Sequence, residues 1–121
     1  MRVSTAGGNA WVSVRDDGVQ YLQWVAGSVI NGQDALAVLE TSSRLAGSRK
    51  YSILIDMTSI VYLTQDAREA FNADSSVIAA ALLGTGPMDE VLAAGAATAV
   101  HPTEFFHREE DALAWIALHN T

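Results

Sequence analysis

Three residues of this sequence are candidates for an acid–base catalytic set, and they are widely spaced. Asp56 ends the apolar run Ile53–Ile55, Arg68 follows on a predicted helix, and His107 comes much later in the chain. Acid–base catalysis needs such groups within hydrogen-bond reach of one substrate. An Asp56–Arg68 pair would also hold the pKa of the carboxyl below its usual range, which makes a poor general base near neutral pH. We therefore expect a protein that is not an enzyme.

The sequence leaves two roles open for Asp56. The residue could line a functional loop, paired with Arg68, or it could accept hydrogen bonds from backbone N–H groups at the end of its strand. Thr58 and Ser59 follow it, and no histidine or lysine stands beside them in sequence to activate a hydroxyl as a nucleophile. These residues therefore predict a polar loop and not a catalytic set.

Metal and cofactor sites are not predicted. The chain has no cysteine, and its three histidines have neither the i, i+4 nor the His-x-His spacing that makes a metal site readable. The segment Gly84–Pro87 lacks the phosphate-loop pattern and a nearby lysine, so we interpret it as a strand-to-helix turn. We expect no bound cofactor.

The composition predicts one domain covering residues 1–121. Hydrophobic residues make up 50% of the chain, charged residues 17%, and the formal net charge is -7. Nucleic acids and anionic membrane surfaces are bound through Lys and Arg, so neither is an expected partner. The N-terminus has no apolar segment of the signal-peptide kind, and no apolar run approaches the roughly 20 residues of a membrane helix. We expect a cytoplasmic protein without membrane insertion.

The N-terminal part of the chain predicts a β-hairpin after a loose lead-in over residues 1–9. Two strand-like runs flank Asp16–Gly18, and Asp-Gly is a strong hairpin signal. A two-residue turn would place Trp11 opposite Trp24, whereas a three-residue loop would change the partners. Leu22 and Trp24 share one face in both registers. These large side chains are either covered by another element or form an exposed patch on an edge hairpin.

Helices and strands alternate in the rest of the chain. After a turn at Ser28–Gly32, the predicted elements are a helix from Asn31 or Asp34 to about Ala46, a strand at Ile53–Ile55, a helix capped by Thr64, a strand at Val77–Leu83, a helix from Pro87 to about Val100, a strand at Thr103–Phe106 and a helix from Glu109. The unbroken apolar run Ile53–Ile55 indicates a central strand buried on both faces. The order β-β-α-β-α-β-α-β-α therefore predicts an α/β fold with a mixed sheet.

This order, together with the run from Ile53 to Ile60, resembles the STAS fold of anti-sigma-factor antagonists, the SpoIIAA-like architecture. In that family a strand ends in Asp-Leu, and a short loop leads to a helix that starts Asp-Ser-Ser-Gly. The phrase Asp66-Ala67-Arg68 and the ending Phe105–Ile116 are similar to those of small uncharacterised bacterial STAS-like proteins. The resemblance covers most of the chain and implies a regulatory module without an assigned activity.

The chain departs from the STAS pattern at the switch position. When Asp56-Met57 is laid on the family's Asp-Leu, Thr64–Ala67 falls on its Asp-Ser-Ser-Gly. Gln65 or Asp66 then replaces the serine that the family phosphorylates, so a phosphorylation switch is not expected. Asp66 either mimics a phosphorylated residue or is a first-turn residue that complements the helix dipole.

We predict a STAS-like module that acts through protein contacts and lacks the phosphorylatable serine. Its expected contact residues in and after the loop are Asp56, Thr58, Ser59, Thr64, Gln65, Asp66 and Arg68. The hairpin residues expected to form a homodimer surface are Trp11, Leu22 and Trp24. The alternative is a small-ligand carrier for a lipid or a nucleotide, with a pocket between Ile60–Leu63 and the predicted helix Glu90–Val100.

Overall fold

The chain folds into a six-stranded mixed sheet and a separate two-stranded sheet, with helices packed against the larger one. The computed structural model describes residues 2–5, 8–47, 49–86 and 99–120. Within these ranges the elements are β1 (Arg2–Ser4), β2 (Ala10–Val14), β3 (Gln20–Trp24), β4 (Ser28–Ile30), α1 (Gly32–Leu45), β5 (Tyr51–Asp56), β6 (Ile60–Leu63), α2 (Gln65–Asn72), β7 (Val77–Leu83), β8 (Thr103–Phe106) and α3 (Glu109–His119). The predicted α/β class with a mixed sheet is confirmed.

The large sheet has the strand order β1-β2-β3-β5-β7-β8. Neighbouring strands are antiparallel from β1 to β3 and parallel from β3 to β8. Leu54 on β5 pairs with Tyr21 on one side and with Ala81 on the other, so β5 lies inside the sheet. Leu54 is fully buried, as the apolar run Ile53–Ile55 predicts for a strand that is covered on both faces.

The β2–β3 hairpin has the longer of the two loops that the sequence allows. The Arg15 N–H donates to the Val19 carbonyl at 2.9 Å, which leaves Asp16–Gly18 as a three-residue loop. Gly18 has a φ of 86°, a left-handed conformation that glycine adopts without steric cost. Trp11 lies opposite Gln23 in this register, so the two tryptophans of the hairpin do not pair across it.

Three short strands correct the sequence prediction. Arg2–Ser4, in the predicted loose lead-in, pairs with β2 as an edge strand. Ser28–Ile30, predicted as a turn, pairs in parallel with Ile60–Leu63, which is not among the predicted strands. These three segments carry too little periodicity to be recognised as strands in sequence, because their conformation depends on a partner elsewhere in the chain.

The two strands of the small sheet each lead directly into a helix, which produces two parallel units, β4-α1 and β6-α2. Asn31 caps α1, and it exchanges hydrogen bonds of 2.9 and 3.1 Å with Asp34 in a capping box. Thr64 caps α2, as predicted, and its hydroxyl accepts from the Ala67 N–H at 3.4 Å. The Thr64 N–H donates to the Ile30 carbonyl at 2.9 Å, which holds the two helix starts next to each other.

The core occupies both faces of the large sheet. On one face, α1 and α2 cover apolar side chains that include Leu22 and Trp24 of β3. On the other face, α3 packs Ala112 and Ile116 against Leu54. Because side chains alternate along β3, successive residues of this strand point into the cores on opposite faces of the sheet.

The strands β7 and β8 have the bounds that the sequence predicts. Between them, the predicted helix from Pro87 to about Val100 falls mostly outside the described residues, which resume at position 99. In the ranges that the structure describes, no helix combines the length and the apolar character needed to cross a membrane.

Candidate functional site

The starts of α1 and α2 lie side by side at one end of the small sheet. A helix start presents backbone N–H groups without helical partners and carries the partial positive charge of the helix dipole. The hydrogen bond from the Thr64 N–H to the Ile30 carbonyl brings two such ends together. An acceptor between them can therefore bind N–H groups from both helices, and Asp66 supplies that acceptor.

The Asp66 carboxylate accepts a hydrogen bond from the Ala67 N–H at 3.1 Å, from the Thr64 hydroxyl and from the Gly32 N–H. The Thr64 hydroxyl contributes most to holding the pKa of Asp66 below its usual value, desolvation opposes this, and the N–H groups of Ala67 and Gly32 add to the lowering. Asp66 is on the surface and is ionised at neutral pH. The site therefore contains its own anion.

Gly32 makes this arrangement possible. A Cβ atom at position 32 would lie 2.5 Å from Asp66 Oδ2 and 3.0 Å from its Cγ, closer than real Cβ contacts. Gly32 is not among the residues predicted to form the site. The signal that points to it is the capping box that begins at Asn31, which places Gly32 in the first turn of a helix.

Gln65, the other candidate for the serine position, makes a different contact. Its side-chain amide donates to the Glu69 carboxylate at 3.1 Å, four residues along the exposed surface of α2. A pair at i, i+4 supports the helix that contains it. Of the two residues that could replace the serine, Asp66 is the one that joins the helix starts.

Asp56 organises the loop after β5. Its Oδ1 accepts from the Thr58 N–H at 2.9 Å and from the Thr58 hydroxyl at 2.6 Å. The Ser59 carbonyl accepts from the Gly27 N–H at 3.0 Å, which ties the loop to the turn before β4. The structure thus gives Asp56 the backbone-capping role. The ion pairs among the described residues do not include the Asp56–Arg68 pair that the sequence also allows.

Arg68 lies against Tyr62 of β6. Its guanidinium carbon is 5.7 Å from the centre of the Tyr62 ring, within the range of a cation–π contact. The Nε of Arg68 is buried and has no hydrogen-bond acceptor among the described residues. The Arg68 side chain also lines a cavity between α2 and the large sheet.

This cavity measures about 60 Å³ and is predominantly apolar. Trp24 lines it, and the buried indole N–H of Trp24 has no acceptor in the described part of the chain. Ile60 and Leu63 also line it. The predicted pocket between Ile60–Leu63 and the helix Glu90–Val100 stays a prediction, because most of that helix lies outside the described residues. A second cavity of about 30 Å³ adjoins it, and the residues that line both are Ile55, Phe71, Ala80 and His101.

An exposed apolar surface lies on the small sheet beside α2. Val29 of β4 and Tyr62 of β6 pair across this sheet and are 55% and 50% exposed. Val61, the residue before Tyr62, is 59% exposed. We call Val29, Val61 and Tyr62 the ribbon patch. The ribbon patch is not predicted from sequence, because β4 and β6 are not recognisable there as strands.

The tryptophan hairpin is not the exposed surface that the sequence predicts. Leu22 is fully buried and Trp24 is 4% exposed, because α1 and α2 cover this face of β3. Trp24 contacts Phe71 of α2 edge to face, with ring centres 6.3 Å apart. Within the described sheet, β1 and β5 flank the hairpin, and Trp11 is only partly exposed. The assignment of Leu22 and Trp24 to a homodimer surface is therefore wrong. Self-association stays a prediction, and the residues that would form its interface are not identified.

The histidines serve as contact residues. His101 Nε2 lies 3.1 Å from the Phe71 carbonyl, and its Nδ1 lies 2.9 Å from the Thr103 hydroxyl. His107 contacts Phe105 edge to face, with ring centres 5.1 Å apart. Across the described ranges, no group of three or more His, Asp or Glu side chains is arranged to hold a metal ion.

The fold defined by these elements is found among solved structures. An uncharacterised protein of the DUF3478 family from Shewanella loihica PV-4, which has a SpoIIAA-like fold, matches with a TM-score of 0.63. The match covers 95% of this chain and 94% of that chain at 17% sequence identity, so the likeness shows the fold alone. The protein is a module with a SpoIIAA-like fold, as the resemblance in sequence implies.

The family model of DUF7793, a domain of unknown function, matches residues 12–120. The chain therefore belongs to the DUF7793 family. A protein of unknown function from Arthrobacter sp. FB24 is 32% identical over 88% of this chain and 92% of that chain, with a TM-score of 0.36. The sequence has no match among curated proteins.

Proposed function

We propose that this protein is a non-enzymatic interaction module with a permanent negative charge at its recognition site. The observation that carries the proposal is the position of the Asp66 carboxylate, which accepts hydrogen bonds at the starts of both α1 and α2. In the sequence resemblance, Gln65-Asp66 falls on the Ser-Ser of the STAS motif Asp-Ser-Ser-Gly, and we take Asp66 as the residue at the switch position. The module would then carry a permanent negative charge at the position where STAS proteins gain one by phosphorylation.

A phosphate group at a helix start accepts backbone hydrogen bonds and interacts favourably with the helix dipole. A carboxylate at the same place makes the same kinds of interaction with a smaller charge, and it needs no kinase. The lowered pKa of Asp66 keeps this charge at every physiological pH. We therefore expect the module to bind its partner constitutively.

The ribbon patch supplies the apolar part of the contact surface. Its three residues are exposed on β4 and β6, and β6 leads through Thr64 into the helix that contains Asp66. A partner with an apolar contact region and a Lys or Arg beside it would bury the patch and pair with Asp66. The net charge of -7 favours a basic partner, because complementary charge accelerates association and disfavours wrong partners. We therefore propose a protein partner with a basic recognition surface.

Photo-crosslinking in cells of the source organism tests this surface. A photoreactive amino acid at Val61 should capture a protein partner that mass spectrometry can identify. The matched control carries the same amino acid at Ala114, which is exposed on α3 on the other side of the large sheet. Equal capture at both positions, or none at Val61, would contradict the proposed surface.

A pair of charge variants tests the role of Asp66. Asp66→Asn should reduce the yield of the Val61 adduct, because the fixed charge is removed. Glu69→Gln removes an equal charge from the exposed surface of the same helix and should leave the yield unchanged. Thermal unfolding of both variants shows whether they remain folded. If Asp66→Asn is folded and the yield of the Val61 adduct is unchanged, the charge has no part in partner binding. Only the ribbon patch would then remain as the proposed contact surface.

A further inference from the structure

We propose that Asn31 is a site of spontaneous deamidation, which the folded protein restrains by holding the N–H of Gly32 on the Asp66 carboxylate. Asn31-Gly32 is the one Asn-Gly pair in the sequence. Asparagine deamidates most readily before glycine, because glycine has no side chain to hinder the attack of its backbone nitrogen. Asn31 is exposed, so water can complete the reaction. The inference concerns the helix starts of the free protein and does not depend on the proposed partner.

The reaction needs only these two residues and water. The Gly32 nitrogen loses its proton and attacks Asn31 Cγ. The new C–N bond closes a succinimide ring, and the bond from Cγ to Nδ2 breaks to release ammonia. Water then opens the ring, either at Cγ to give aspartate or at the main-chain carbonyl to give isoaspartate. Each product carries one negative charge more than asparagine, beside Asp66.

The peptide group between Asn31 and Gly32 is held at both ends. Its N–H donates to the Asp66 carboxylate, and its carbonyl accepts from the Ala35 N–H at 3.0 Å in the first turn of α1. The nitrogen can attack only after its proton leaves and the peptide group rotates towards Asn31 Cγ. A carboxylate acceptor binds that proton more strongly than a neutral acceptor does. The contact with Asp66 therefore opposes both the loss of the proton and the rotation.

The side chain of Asn31 is held as well. Its Oδ1 accepts from the Asp34 N–H at 2.9 Å, and the Asn31 N–H donates to Asp34 Oδ2 at 3.1 Å. Attack at Cγ requires the side chain to leave this capping box. Aspartate caps a helix about as well as asparagine, so that product keeps the cap, whereas isoaspartate adds one atom to the main chain and loses it. Isoaspartate is therefore the product that alters the start of α1.

Peptide mapping by mass spectrometry measures the reaction. Trypsin releases the peptide Asp16–Arg44, in which Asn31 is the only asparagine, and deamidation raises its mass by about one dalton. The protein is incubated in mildly alkaline buffer with and without guanidinium chloride, and a sample taken at the start corrects for deamidation during digestion. Asn31 should deamidate about tenfold or more slowly in the folded protein, because hydrogen bonds must break first. Equal rates would overturn the proposal.

Variants identify the contact responsible. Asp66→Ala removes the acceptor of the Gly32 N–H and should speed deamidation of the folded protein about tenfold, the factor expected for the loss of one charge-assisted hydrogen bond. Glu69→Ala removes an equal charge from the exposed surface of α2 and should leave the rate unchanged. Ile116→Val lowers the free energy of unfolding from the other face of the large sheet, and so measures what unfolding alone contributes.

A rate for folded Asp66→Ala no higher than the rate for Glu69→Ala or for Ile116→Val would overturn the proposal. Asp66→Asn keeps an acceptor at this position without the charge, so its rate should lie between those of wild type and Asp66→Ala. If Asp66→Ala does not fold, Asp66→Asn decides, and a rate equal to that of wild type would contradict the role of the carboxylate.

Discussion

Gly32 and Asp66 meet where the two helix starts come together. The Gly32 N–H donates to the Asp66 carboxylate, and the space that a Cβ at position 32 would need is already taken by Asp66 Oδ2, 2.5 Å away. The contact links the unit β4-α1 to the unit β6-α2. The position of the Asp66 charge at the surface therefore depends on the pairing of β4 with β6.

The variant Gly32→Ala tests this contact. Alanine is normally the better helix residue, but here its Cβ would displace the Asp66 carboxylate from the N–H groups that it binds. We expect the variant to be less stable than wild type, by less than the roughly 1–3 kcal/mol that overpacking costs in a core, because Asp66 is exposed and its carboxylate can move. Urea denaturation measures it.

The control for this variant is Gly86→Ala, because a Cβ at position 86 meets nothing within 4 Å. A double-mutant cycle with Asp66→Ser, whose shorter side chain leaves more room, should recover part of the loss if the clash is the cause. A Gly32→Ala protein as stable as wild type would show that the approach of the two residues does not contribute to stability.

The lowered pKa of Asp66 predicts a dependence of stability on acid. A carboxyl with a depressed folded-state pKa contributes stability that is present above its ordinary pKa, 3.8, and is lost as the pH falls through the folded-state value. Wild type should therefore be more stable than Asp66→Asn at neutral pH, and the difference should shrink below pH 3.8. Urea denaturation over this range checks it. A difference that is independent of pH would contradict the role of the ionised form.

The long apolar runs and the helix caps of this chain can be predicted from sequence. Val77–Leu83 is recognisable because it is long and bounded by polar residues, and Thr64 because a cap is a local signal. The strand at Ser28–Ile30 is not recognisable, since its conformation depends on pairing with a distant segment. The same limit applies to Trp24. Alternation shows which residues share a face of β3, but not that α2 covers that face.

The candidate site is predictable only in part, for a related reason. Thr64 and Asp66 stand out in sequence as residues of a helix start, and the resemblance to STAS proteins places both in the switch motif. The N–H of Gly32 reaches Asp66 only because β4 and β6 pair, and the cavity at Trp24 is a gap left by packing. Contacts and gaps of this kind arise from tertiary structure and leave no local pattern.

Leu54→Ala should be among the most destabilising substitutions in the chain. Leu54 is fully buried at the centre of the large sheet, in contact with the core that α3 covers. Removing its side chain should lower the free energy of unfolding by roughly 2–5 kcal/mol, because both transfer free energy and packing are lost. Leu36→Ala is the matched control, since Leu36 is 61% exposed on α1. Equal midpoints of urea denaturation for the two variants would contradict the central position of β5.

Tyr51 predicts a loss of stability in alkali. Burial, and then the charge of Asp74, raise the pKa of the Tyr51 phenol, which donates a hydrogen bond to Asp74 Oδ2 at 3.3 Å. A raised folded-state pKa means that the stabilisation is complete below the ordinary value, 10.0, and is lost as the pH rises above it, because the unfolded chain releases its proton first. Wild type should therefore lose stability above pH 10.0, and Tyr51→Phe should lose less.

Burial also raises the pKa of Tyr21, so part of the loss should persist in Tyr51→Phe. Tyr62→Phe, which changes an exposed ring, is the control. Urea denaturation at increasing pH measures how steeply the free energy of unfolding falls with pH. Equal slopes for wild type and Tyr51→Phe would rule out Tyr51 as a source of the loss of stability in alkali.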